Sequence, residues 1–140
     1  MSSPERQLGV DLFNATWDLI RSRQDDELMV HRAHASAYHW ASAPECKPEN
    51  RARGEWLVSR VYVVVGRAEP ALHHAQRCLA WCEAHALADW DLAYAYEALA
   101  RASRLAGDGD AAETYLAQAR TVAIVDAEDA EHLGEDLATV

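Results

Sequence analysis

The stretch YVVVGRAEPA, residues 62–71, decides the fold, because SRLAGDGDAA, residues 103–112, repeats its punctuation 41 residues later. In each, a glycine (Gly66, Gly107) closes one helical segment and an alanine (Ala71, Ala112) stands in the first turn of the next. Glycine reaches the left-handed backbone that ends a helix without the penalty a Cβ would incur. Cys78 and Ala119 fall at matching later positions, both small, where paired helices must approach closely. Shifting back by the same interval lands on Asp25, a further turn that lacks the glycine, so three helix pairs are expected.

The valines at 61 and 63–65 read equally well as a buried strand or a helix, since short apolar runs are ambiguous by period alone. Helical flanks and the lack of a second strand-like run favour helix. Working outward, Ser3-Pro4-Glu5 predicts a helix start, with a serine cap and a proline at the first position. That helix runs to about Arg23. The next extends from Asp25 and Asp26 through Tyr38 and Trp40 to Pro44, and the longest loop is Ala43 to Glu49. Further helices are expected from about Asn50 to Val65, Glu69 to His85, Asp89 to the Gly107 turn, and Asp110 to Val125. A short acidic one follows from Glu128 to Leu137, weakened by Gly134. The prediction is a single all-α domain over residues 1–140: three stacked antiparallel helix hairpins plus a short C-terminal capping helix.

Composition agrees. Twenty-eight alanines favour helix, because alanine loses no side-chain entropy there. Twelve arginines against the single Lys47 have the skew of a GC-rich bacterial coding sequence. With 140 residues, half of them hydrophobic, the chain suits one core. The formal charge of -10 is concentrated after residue 107, where nine acids face one base, Arg120. Such a surface repels phosphate backbones, so neither nucleic acid nor an anionic membrane is expected as a partner. There is no apolar run of about 18 residues and no basic-then-apolar leader. Cys46, Cys78 and Cys82 have no disulfide spacing, and the expectation is a cytoplasmic protein with reduced thiols. No motif names a reaction. Gly107-Asp108-Gly109-Asp110 lacks the remaining ligands of a calcium loop and reads as a tight turn, which leaves catalysis open.

The turn-and-small-residue pattern resembles the tetratricopeptide-repeat family in a longer-than-usual unit. Tyr62, Gly66, Ala71 and Cys78 stand at signature positions of one unit, and Ser103, Gly107, Ala112 and Ala119 at those of the next. Ser103 departs from the usual aromatic, as do Ala75 and Leu116 in the second helices; the resemblance covers about residues 51–125. It implies a right-handed stack whose first helices line a concave face and whose last helix caps the apolar end. On that resemblance the groove positions are Arg53, Trp56 and Arg60, then Tyr94, Glu97, Arg101 and Arg104. Four arginines beside two aromatics would form a cationic trough, since guanidinium forks pair bidentately with carboxylates. The function expected is a non-catalytic module that binds a protein or peptide partner through an acidic segment, or a small carboxylate or phosphate ligand.

A second expectation comes from a stripe on helix two, where Glu27, His31, His34 and Tyr38 share one face. Helix four carries His74, Cys78, Trp81, Cys82 and His85 in a similar stripe. If the two stripes meet, Glu27, His31, His34, His74 and Cys78 form a ligand set for a divalent metal, zinc or iron, in a metal-binding protein or metalloenzyme. A third is a homodimer, with Trp17, Trp40 or Trp90 exposed at its interface.

Overall fold

The computed structural model describes all residues, Met1–Val140, as seven helices and no strands. These are α1 Pro4–Ser22, α2 Asp26–Ser42, α3 Pro48–Val64, α4 Ala68–Ala84, α5 Asp89–Leu105, α6 Gly109–Thr121 and α7 Ala127–Leu137. None is long and apolar enough to cross a membrane.

Local chemistry sets the boundaries. Ser3 Oγ accepts from the Arg6 N–H at 3.1 Å, and Asp25 and Asp108 accept from Leu28 and Ala111 at 2.9 and 3.0 Å, satisfying donors that a helix start leaves free. Pro48 is not loop but the start of α3, two residues before the expected Asn50. There the Lys47 N–H donates to Asn50 Oδ1 at 2.9 Å, and proline's missing N–H costs nothing at the first position. At the other end α6 stops at Thr121, short of Val125.

The two glycine turns are alike in detail. Gly66 and Gly107 have φ of 79° and 84°. The residue after each donates back across the turn, Arg67 to Tyr62 O at 2.8 Å and Asp108 to Ser103 O at 2.9 Å. This six-to-one closure uses carbonyls that the helix end would leave unpaired. Leu87 closes α4 in the same way onto Cys82 O at 2.9 Å, with Ala86 holding φ 53° in place of a glycine.

Each even-numbered helix packs back on the one before it: α1 with α2, α3 with α4, α5 with α6. Antiparallel sense follows from the bonds between them, Glu5 with His39 and Gly9 O with Ser36 in the first pair, and Ser59 with Ala71 O in the second. Small residues make the contacts close. Ala71, Ala75, Ala112 and Ala119 are fully buried, and a Cβ on Gly9 would lie 2.7 Å from Trp40 Cδ1.

Successive pairs join through α2 on α3, α4 on α5 and α3 on α5, while α7 lies on α5. The core is four linked clusters. One, around Met29, Leu57 and Val58, joins α1 to α3; two, around Cys78, Cys82, Ala75 and Leu99, join α3 to α5; the last, around Leu116, Leu133 and Leu137, joins α5 to α7. Trp56 packs against all four. The valine run lies within this helical core, with Val61 buried at the α1–α3 cluster.

Candidate functional site

The odd-numbered helices share one side of the molecule and enclose a cleft of about 750 Å³. Phe13 and Trp17 come from α1, Ala52, Arg53, Trp56 and Arg60 from α3, and Trp90, Asp91 and Tyr94 from α5. Cys78 of α4 reaches it from behind, and Asp129, His132 and Asp136 of α7 complete it. The aromatic wall is continuous. Trp17 and Trp56 have centroids 5.7 Å apart, Trp56 meets Tyr94 edge-on at 5.8 Å, and Trp90 lies 4.4 Å from Tyr94 and stacks on His132 at 5.9 Å. A concave, largely apolar surface with a few convergent polar groups is the usual character of a small-ligand site.

Of the expected groove residues, Arg53, Trp56, Arg60 and Tyr94 line this cleft. Glu97, Arg101 and Arg104 do not. Glu97 is 0 % exposed and sits behind Trp56 as an anchor: Trp56 Nε1–H donates to its Oε2 at 3.2 Å, and Arg101 Nε–H to its Oε1 at 2.6 Å. Arg101 also donates to Asp136 O at 2.8 Å and to Thr139 Oγ1, tying α7 to α5. Arg104 lies on the outside, paired with Glu113 at 2.7 Å.

The expected trough of four free guanidiniums is therefore not what the chain presents. Arg53 is bidentate on Asp91 at 2.8 and 3.2 Å. Only Arg60 keeps its donors. Its one hydrogen bond is a long one of 3.4 Å to Glu97, and its side chain is 22 % exposed. Since no buried side-chain nitrogen or oxygen lacks a partner, the remaining Arg60 nitrogens are not sealed from solvent, and the residue lines the cleft. Burial first, and Arg101 second, pull its pKa down against the pull of Glu97. An arginine stays charged through such a shift, but a desolvated, under-paired guanidinium gains much from an incoming anion.

Tyr94 is held the opposite way. Its hydroxyl donates to Asp136, and burial followed by that bond pushes the phenol far up, so it stays protonated and fixes α7 as a wall.

The metal stripes converge only in part. His34 and His74 rings are 5.5 Å apart, His34 Nε2 shares a 2.8 Å hydrogen bond with the Tyr62 hydroxyl, and His74 Nδ1 is bonded to Glu55 Oε2 at 2.7 Å. Burial would raise Glu55, yet the bonds from His74 and Arg77 outweigh it and hold the carboxyl below its ordinary value. Glu27 and His31 are exposed on α2 with no bonded partner, and Cys78 is in the core, its thiol pushed up by its hydrogen bond to Cys82 and by burial. The five proposed ligands, Glu27, His31, His34, His74 and Cys78, are not brought to one point. Nowhere do three histidine, cysteine, aspartate or glutamate side chains gather as a metal would require. The tryptophans offered for a dimer face are half-buried within the chain: Trp17 on Trp56, Trp40 over Gly9 and Arg6, Trp90 on Tyr94 and His132.

Sequence reasoning missed Asp91, Trp90 and the three α7 residues as cleft lining. The acidity of the segment was visible, but its inward face was not. No family model, curated protein or solved structure matches the chain.

Proposed function

We propose that the protein is a non-catalytic binding module of the tetratricopeptide-like kind, in which three helix hairpins stack, α1, α3 and α5 line the concave side, and α7 closes it. What supports the hairpin reading is the identical closure at Gly66 and Gly107, with 0 % exposed alanines after each. The three thiols are free, which suits a reducing compartment such as the cytoplasm.

The ligand is a small molecule with an apolar body and one carboxylate or phosphate. The observation that carries this is Arg60, a guanidinium with a single long bond inside an aromatic-walled cleft. A long acidic peptide suits the cleft less well, because α7 lies across its end and Arg53 is already neutralised. Titration of octanoate and octyl phosphate, followed by the fluorescence of Trp17, Trp56 and Trp90, tests the reading. Arg60→Met should weaken binding at least about tenfold, while Glu113→Gln, whose carboxylate pairs with Arg104 away from the cleft, leaves it unchanged. Equal affinity in the Arg60 variant would remove the assignment.

A further inference from the structure

The charges around the cleft do not balance. Three guanidiniums, Arg53, Arg60 and Arg101, stand against four carboxylates, Asp91, Glu97, Asp129 and Asp136. Arg53 is paired with Asp91, and Arg101 with Glu97. Asp136 accepts from Tyr94, lies 3.5 Å from His132 Nε2 and attracts Arg60 electrostatically. The carboxylate left over is Asp129, which has no ion pair or hydrogen-bond donor of its own. Helix capping does not account for it, because Asp126 already caps α7 by accepting from the Asp129 N–H at 2.9 Å.

The cleft thus has two ends open to a ligand charge: a guanidinium with one long bond and a carboxylate with no protein ion pair. Arg60 offers donors at the end near Asp136. Asp129 lies seven residues earlier on α7, two helical turns or about 10 Å along its axis. Beside it is the Trp90 indole, which also borders the Glu128, Glu131 and Glu135 rim. A carboxylate without an ion-pair partner in an aromatic-lined, acidic setting attracts an organic ammonium, and a chain of net charge -10 favours the approach of one.

We infer that the ligand is amphoteric: its acidic group engages Arg60, and a cationic ammonium about 10 Å away engages Asp129 where it lines the cleft beside Trp90. This rests on the cleft being the ligand site with Arg60 as its anion contact. An elongated ω-amino acid satisfies both ends at once, whereas a plain fatty acid leaves Asp129 facing an apolar chain, which a carboxylate resists.

The probe is 8-aminooctanoate, whose extended chain matches the span, compared with octanoate and octylamine by tryptophan fluorescence on the full chain. The amino acid should bind at least about tenfold tighter than octanoate, and Asp129→Asn should erase that advantage, weakening the amino acid while octanoate binds as tightly as before or tighter. Equal binding of the two, or an advantage that survives in Asp129→Asn, overturns the ammonium site while leaving the Arg60 assignment intact. If no probe binds in an Arg60-dependent way, the underlying reading fails and this inference falls with it.

Discussion

Trp56 and Glu97 stand 41 residues apart, the interval of the two glycine turns, and the indole N–H of the first donates to the buried carboxylate of the second at 3.2 Å. The same carboxylate receives Arg60 and Arg101, which are likewise 41 residues apart. One acid therefore fixes the floor of the cleft and holds its one under-paired guanidinium by a long bond.

Replacing Glu97 by glutamine should destabilise the chain by about 3 kcal/mol, because removing one partner of a buried ion pair strands the opposite charges. Urea unfolding measures this directly. A loss below about 1 kcal/mol would mean that the guanidiniums find water or other acceptors, and that Glu97 anchors little.

Gly66→Ala and Gly107→Ala should each cost about 1–2 kcal/mol, purely from left-handed backbone, since nothing lies within 4 Å of a Cβ at either site. The turns share no partner, so the double variant should show the sum. Thermal or urea unfolding of the three variants tests this, and a neutral alanine at either turn would contradict it.

Gly9→Ala fails for a different reason. Its backbone is ordinary helix, but the new methyl meets Trp40 at 2.7 Å. Overpacking of this kind costs about 1–3 kcal/mol, and Trp40→Leu should recover part of it in the double variant. Strict additivity of the two changes would show that they do not touch.

Acid should weaken the α2–α4 face in two stages. His34 is depressed below its ordinary 6.5, by burial and then by His74, so below pH 6.5 the unfolded chain takes up a proton that the folded ring resists. Stability falls until the folded ring protonates as well. Glu55, held below its ordinary 4.5, contributes stability above that pH and loses it as the folded carboxyl protonates. Urea midpoints between pH 7 and 3 should show His34→Gln with a smaller early decline than the native chain and Glu55→Gln with a smaller late one. Superimposable profiles for native and His34→Gln protein would refute the first assignment.

The helices and both glycine turns were legible because they depend on neighbours in sequence: a serine before a proline, a glycine where φ must be positive. Arg53, Trp56, Arg60 and Tyr94 were legible as a facing set only through the tetratricopeptide-repeat resemblance, which implied their groove positions. What periodicity could not reveal was pairing between elements. Asp91 cancels Arg53 across 38 residues, and Glu97, which looks like one more polar residue in a surface stripe with Arg101, is fully buried because Trp56 and two guanidiniums meet it there. The α7 residues were legible as an acidic cap, but Tyr94 and Arg101 turn Asp136 inward and make the cap a wall.

Along α5, Ala93, Ala95, Ala98, Ala100 and Ala102 are buried, so helices α3, α4, α6 and α7 all crowd onto a single thin rod. Trp90, Asp91 and Tyr94 project from that same rod toward the cleft. Scaffold and cleft lining are thus written in different letters of one helix. The alanines fix the spacing of the walls, Tyr94 holds α7 in place, and Trp90 and Asp91 between them can be exchanged to reshape the lining without redrawing the frame.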